Sequence, residues 1–365
     1  MMLETLVRLT TSALKEQTAA GAMMPGRNGA YGDPETPVRN TAHWLVSFSM
    51  AYKATGDERF RHAAGSALEY LLACQRLFVG GVIVRHAGTK DKTNGVLGQA
   101  HLIEAYYYAA TVLGHDGARS AALDLIARHP FDHDWGCWRR ITPDGRDLPP
   151  DDTFNHQLYF AATIALWSRD EIYARDQVAA FLDHLNRIFQ VRKDGRIVHA
   201  IPNRESQKSK VKGALKAFKK PPIKLIEKEA NYHMYNMYAF SLLSEAGYEG
   251  RITSCNAWSD AASFASSSAI VKRKSQQFWS RGLVSGTETI ACDSARFHQA
   301  FKGRESAVET VASAFEQLAF VAGPDGLCEV ISPDPVTQRA RLYRYWRLTD
   351  LDYQLRQGPA TSPRR

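Results

Sequence analysis

The chain lacks the features that would place it in several large classes at once. Its five cysteines, at positions 74, 137, 255, 292 and 328 of 365 residues, form no CxxC pair and are odd in number. Such scatter argues against a cysteine zinc site and a disulfide frame, and fits a reducing compartment. No run approaches the roughly 20 apolar residues that a bilayer-spanning helix needs. The N-terminal stretch MMLETLVRLTTSALKEQ carries Glu4 and no long apolar core ahead of a small-residue cleavage site, so it reads as an amphipathic helix and not as a signal peptide. The expectation is a soluble, cytoplasmic protein. HExxH, an Asp-rich calcium loop, GxGxxG and the GxSxG elbow are all missing, so no metal and no cofactor is expected.

What is present is positive charge and aromatic surface. The formal net charge of +8 favours an anionic partner, and part of the excess sits in Lys208–Lys228, KSKVKGALKAFKKPPIKLIEK. No nucleic-acid-binding motif accompanies it, which leaves acidic carbohydrate ahead of nucleic acid. The 205–228 segment reads as a basic loop, either a lid or disordered chain. Fifteen Tyr and seven Trp supply the flat faces that sugar sites use, although most such rings belong to cores.

The chain repeats one unit: a hairpin or loop, a polar-headed helix, a short turn, an amphipathic helix. Helices are predicted from about Val38 to Thr55 and from Phe60 to Cys74, joined by TGDERF, in which Gly56 suits the turn and Asp57 can cap. GGVIVRH (80–86) then reads as a strand and NGVLGQAHLIEAYYYAA as the next helix, answered by ARSAALDLIARH. A strand pair over 135–146 precedes PDDTFNHQLYFAATIALW (150–167), and a hairpin at Asp194-Gly195 precedes EANYHMYNMYAFSLLSEAG. LCEVI (327–331) reads as a late strand and 356–365 as a disordered tail. The first helix of each unit is apolar nearly all round and must be buried on every side; its partner keeps a polar face. Two such layers, in roughly eleven or twelve helices, predict an all-α (α/α)6 toroid of helical hairpins with short β-hairpins in the connecting loops, as a single domain over 1–355.

Polar residues gather where the inner helices begin, near residues 40, 94, 155 and 231. Arg39, Asn40, His43 and Trp44 open one, and Asn94, Gln99 and His101 the next. Asp151, Asp152, Asn155 and His156 open the third, and Asn231, Tyr232, His233, Tyr235 and Asn236 the fourth, with Trp138 in the preceding hairpin. In a toroid these heads face one mouth, a concave aromatic setting with a few polar groups. Each residue also has a plain reading: Asn40, Thr93, Asn94 and Thr153 are possible N-caps, and His43 and His101 possible core histidines.

YKATGDERFRHAA looks like the TGD-x-R-[YF] turn of carbohydrate-active α/α toroids. Asp151-Asp152-Thr153-Phe154-Asn155, followed by Leu158, Tyr159, Phe160 and Ala161, resembles the catalytic helix head of unsaturated glucuronyl and rhamnogalacturonyl hydrolases, glycoside hydrolase families 88 and 105. The resemblance implies hydration of a 4,5-unsaturated uronic acid, with Asp151 or Asp152 as general acid/base and Arg39, Lys90 or Arg139 on the substrate carboxylate. A raised carboxyl pKa would be required. The sequence departs where those enzymes carry a second Asp; Asn94 stands there. Hydrolysis of an anionic, uronic-acid-containing oligosaccharide or polysaccharide is the first expectation. A polysaccharide lyase or uronate epimerase is the alternative, with Asn155, Asn231 or Arg39 neutralising a carboxylate and His156, His233 or Tyr232 as base. A non-catalytic toroid that binds glycan or protein through the basic loop is the third.

Overall fold

A computed structural model of the chain describes residues 2–28, 32–86, 91–202, 223–267, 290–321 and 334–349. The helices follow the apolar spacing: α1 (Met2–Ala13), α2 (Val38–Thr55), α3 (Glu58–Arg76), α4 (Gly95–Leu113), α5 (Asp116–Ala127), α6 (Phe154–Ala165), α7 (Ile172–Asp183), the single turn α8 (Leu185–Ile188), α9 (Ile223–Leu243), α10 (Glu249–Thr253), α11 (Trp258–Ser266), α12 (Ile290–Phe301), α13 (Arg304–Val321) and α14 (Pro335–Arg341). The chain is predominantly helical and built of hairpins of the (α/α) toroid class, with only short strands. No helix among the described residues is long and apolar enough to cross a membrane.

The hairpin between α2 and α3 turns as its residues dictate. Gly56 takes φ 68°, closed to most side chains, and its N–H returns to the Tyr52 carbonyl. Asp57 then accepts from the Arg59 amide at 2.9 Å. Every residue of α2 from Val38 to Ala51 is buried, as an all-round apolar helix requires.

The chain forms two compact units: Met1–Leu71 with Tyr108–His115 and Val271–Arg365, and Leu72–Tyr107 with Asp116–Ile270. In the first, the ends of the chain meet. Arg339 reaches Glu16 at 2.6 Å and the Trp346 indole donates to Thr10 at 3.3 Å. Here α2 packs on α1 and α14, and α12 on α13. In the second, α6 packs on α7 and α9. Its core stacks Phe154 on Phe189, tilts Phe189 against Phe240 and sets Phe240 edge-on to Trp258, at centroid distances of 5.5, 5.1 and 5.4 Å.

Three expectations need correction. Residues 80–86 form no continuous strand; the amides of Gly80 and Gly81 bond to the carbonyls of Pro143 and Thr142 instead. The strand pair is a three-stranded sheet, β1 (Phe131–Asp132), β2 (Cys137–Ile141) and β3 (Asp147–Pro150), antiparallel in that order. Finally, α9 starts at Ile223, just after Pro221-Pro222, so the end of the basic segment is helix and Asn231 lies two turns inside it. Lys90, residues 205–222, the 327–331 strand and the 356–365 tail lie outside the described residues.

Candidate active site

The second unit repeats one device on three of its helices. At α4, the Gln99 carboxamide accepts from the Val82 amide at 2.9 Å and donates to the Val82 carbonyl at 3.0 Å, as a neighbouring strand would. At α6, Gln157 does the same with Trp138, at 2.9 and 2.8 Å. At α9 the position passes to His233, whose Nδ1 accepts from the Ile197 amide at 3.3 Å while Nε2 faces the Ala261 carbonyl at 3.1 Å. Each side chain ties its helix to the extended segment before it. Gln99, Gln157 and His233 are thereby spent on structure. Burial pushes His233 down to about 3, so the ring stays neutral.

Caps are not where the residue types suggested. Thr153 precedes α6 but its hydroxyl caps nothing; its amide instead donates to Asp151 Oδ1 at 3.2 Å. Asp91 serves α4, accepting from the Thr93 amide, the Thr93 hydroxyl and the Gly95 amide at 2.9, 2.7 and 3.1 Å. Asn40 is no cap either, and donates to the Met24 carbonyl at 3.0 Å.

The freed Asp151 side chain meets His156, Oδ2 to Nδ1 at 2.8 Å, with the carboxylate 7% and the imidazole 22% exposed. Burial alone would raise the Asp151 pKa. The charge of His156, its hydrogen bond, the Thr153 amide and the charge of Arg140 outweigh that and hold it below the usual carboxylate value. An ionised Asp151 can only accept, so the Nδ1–H of His156 points at it and Nε2 is left as the ring nitrogen that can give or take a proton. Gly95 makes room for the pair. It sits at φ 59° after Asn94 at φ 58°, and a Cβ there would stand 1.9 Å from Asp151 Oδ2. No other residue type fits beneath this carboxylate.

A wall of rings and acids runs on from the pair. His199, which sequence reasoning passed over, stacks on Tyr232 at 5.1 Å; its Nδ1 is buried with no partner among the described residues. Burial, Lys228 and His156 together lower its pKa to about 4. Tyr232 meets Tyr235, Tyr235 meets Tyr159 at 5.3 Å, and the Tyr159 hydroxyl donates to Glu104 at 2.5 Å, with His101 5.5 Å from the Tyr159 ring. Asn155 and Asn236 are buried, each with a side-chain oxygen that has no partner among the described residues. These are acceptors and adaptable amides of the kind that read hydroxyl groups.

In the second unit Asp151 thus meets His156, a chain of contacts runs through His199, Tyr232, Tyr235, Tyr159, His101 and Glu104, and Asn155 and Asn236 are buried on α6 and α9. Other expected site residues take different places. Trp138 is fully buried between Phe131, Phe160 and Phe181, its indole donating to Gln177, which leaves no face for a sugar. Asp152 and Asn231 are exposed. Arg139, offered for a substrate carboxylate, faces Asp132 and Asp147 at 3.4 and 3.3 Å. In the first unit, Arg39 binds Glu35 at 2.6 Å and Asn28 at 3.0 Å, His43 stacks on Tyr343 at 4.5 Å, and Trp44 is buried against Phe48.

No model of a known protein family matches the chain. It is 33% identical over 365 residues to archaeal glycosylation protein Q of Haloferax volcanii, covering 94% of this chain and 96% of that protein. Among solved structures it is similar to the cellobiose 2-epimerase of Spirochaeta thermophila (TM-score 0.61, 12% identity, 94% of each chain). It is similar in the same degree to an unsaturated glucuronyl hydrolase specific for heparin (TM-score 0.56, 12% identity, 96% and 97% covered). At such identity the likeness concerns the fold, and epimerase and hydrolase share it.

Proposed function

The chain belongs to the family of archaeal glycosylation protein Q, and on that premise we propose that it is a carbohydrate-active enzyme that moves a proton on an acidic sugar, acting as a uronate epimerase. The observation that carries this is the Asp151–His156 pair. A hydrolase of the glucuronyl type needs a carboxyl group that begins protonated, whereas Asp151 is held ionised and spends its charge on orienting an imidazole. That is the arrangement of a general base.

The C–H bond beside a sugar carboxylate is acidic enough to break only when the carboxylate is partly neutralised. Arg140 and Lys228 supply positive charge around Asp151 and His199. His156 Nε2 takes the proton and the electron pair moves into the carboxylate. An acid on the opposite face, for which the Tyr232 hydroxyl is the candidate, gives its proton to that carbon to form the epimer, and His156 and Tyr232 recover their starting protonation by exchange with water. Asn155 and Asn236 hold the ring hydroxyls, and the Tyr232–Tyr235 wall supports the sugar face. A relative named for glycosylation fits remodelling of a sugar better than cleavage of a chain.

The test is incubation of the protein in D2O with an oligosaccharide ending in glucuronate, followed by NMR. The expected result is deuterium at the carbon beside the carboxylate, dependent on His156. A new ultraviolet band from a conjugated double bond would replace epimerisation with elimination, and release of a reducing sugar would reinstate hydrolysis. An intact protein that does none of these overturns the reading.

A further inference from the structure

Lys228 closes the basic segment that stands out in the sequence and lies on α9, where it is partly exposed. Tyr232 follows four residues on, so the two side chains share one face of the helix, about 5–6 Å apart at Cβ. Between this face and the start of α6 stands His199. Its carbonyl accepts from the Phe154 amide at 2.9 Å, two residues before His156, and its ring stacks on Tyr232 at 5.1 Å. The charges of Lys228 and His156 both act on that ring. His156, His199, Lys228 and Tyr232 are each partly exposed, so solvent reaches every member of the group.

Epimerisation places one demand on this group. The carbon that loses its proton lies between His156 and Tyr232, and the carboxylate is bonded to that same carbon. A cation that neutralises it must therefore stand within a side chain's reach of both. Arg140 and Lys228 differ in this respect. Arg140 donates through Nε to the Pro149 carbonyl at 3.1 Å, and its charge acts on Asp151, which meets His156 at Nδ1, away from the nitrogen that reacts. Lys228 shares the Tyr232 face and acts on His199. Glu229, the acid that follows it, is committed elsewhere: its carboxylate is wholly enclosed and holds Arg192 at 2.6 Å and Arg196 at 3.6 Å. Burial, Lys228 and His156 keep the His199 ring uncharged, so the ring can add a hydrogen bond but no charge. A carboxylate meets a lysine ammonium with charge and hydrogen bond together, whereas the hydroxymethyl group of a neutral hexose offers only the hydrogen bond.

We propose that Lys228 holds the substrate's carboxylate and is the residue that makes the site read a uronate over the neutral hexose. The inference deepens the epimerase reading and rests on it for the placement of the sugar. The probes are methyl glucuronide and its neutral twin methyl glucoside, titrated into the full chain by saturation-transfer NMR, with deuterium exchange followed separately. The parental protein is expected to bind the glucuronide about tenfold more tightly than the glucoside. Lys228→Met keeps the apolar stem and should remove that preference, weakening the glucuronide and leaving the glucoside as it was. Lys228→Arg, which keeps the charge, should retain it. Should Lys228→Met not fold, Lys228→Gln carries the same expectation. The inference is overturned if the parental protein shows no preference, if Lys228→Met keeps it, or if both sugars weaken alike. It is equally overturned if Arg140→Met removes the preference and Lys228→Met does not. The two readings fail separately. A Lys228-dependent preference without deuterium uptake would leave the carboxylate site standing and end the epimerase; deuterium uptake with an unchanged kcat/KM in Lys228→Met would do the opposite.

Discussion

Glu35–Arg39 at the start of α2 and Asp151–His156 at the start of α6 are both short pairs of a carboxylate with a nitrogen side chain beside a buried helix, at 2.6 and 2.8 Å. They differ in the carboxylate's partner. Arg39 never gives up its proton, and its side chain is 7% exposed against a Glu35 carboxylate wholly enclosed. An imidazole can give or take a proton at its ring nitrogens, and that of His156 is 22% exposed. The first pair, enclosed, holds the start of α2 in place. The second can exchange a proton with whatever lies beside it.

Arg39→Ala is the largest way to break that comparison. It leaves Glu35 as an uncompensated buried charge, and loss of one partner of a buried pair costs about 3–5 kcal/mol. The expected outcome is a large fall in the denaturant midpoint. A change below ~1 kcal/mol would show that water reaches Glu35 and that the pair is not structural.

His156→Ala should do the reverse. Removal of a general base typically costs 10²–10⁴-fold, so deuterium exchange should fall about 10³-fold with little change in melting. Asp151→Asn should act in the same direction, since an amide can donate and so favour the wrong tautomer of His156. If His156→Ala melts the protein as Arg39→Ala does, the two pairs are alike and the catalytic assignment goes.

Acid should separate the two units. Burial, opposed in part by its bond to the Arg139 carbonyl, lowers His129 to about 4, and burial lowers His233 to about 3; both lie in the second unit. Below pH 6.5 the unfolded chain takes up protons at these rings and the folded chain does not. Their contribution is therefore complete above pH 6.5 and declines as pH falls towards 4 for His129 and 3 for His233. The loss when the full window is crossed is on the order of 3 kcal/mol for His129 and on the order of 5 kcal/mol for His233. Asp151 adds to it below about pH 4, because a carboxylate with a depressed pKa stabilises only while it is ionised. Hydrogen exchange between pH 7 and 4 should show protection lost first around α6 and α9, and His233→Gln should flatten the slope. Uniform loss across both units would remove the distinction.

Much of this was legible in the residues. The all-round apolar pattern of HLIEAYYYAATVL and QLYFAATIALW told of buried inner helices, and the TGD turn told where one doubles back. Asp151 and His156 stood out because polar residues recur at the starts of four inner helices, which is more than capping requires. The roles of Gln99 and His233 were not legible: a polar residue early in a helix looks the same whether it faces a ligand or clamps the segment before it. His199 was missed because its significance lies in stacking on Tyr232, 33 positions on, with nothing local to mark it. Glu104 carried a signal that went unread. An acid in a helix buried on all sides must have a partner, and Tyr159 is that partner.

The smallest effect belongs to Asp152, and it sharpens the comparison most narrowly. Two adjacent acids in sequence are alike on paper, yet successive side chains in extended backbone point opposite ways. Asp151 turns inward to His156, while Asp152 is exposed and its carbonyl accepts from the Ile201 amide at 2.7 Å. Asp152→Asn keeps that backbone bond and removes a solvated charge, so stability should change by less than ~0.5 kcal/mol and exchange should continue at the parental rate. Were Asp152→Asn to abolish turnover while Asp151→Asn did not, the proton would travel through the outer acid, and a carboxyl-based hydrolysis would account for the site better than a histidine base.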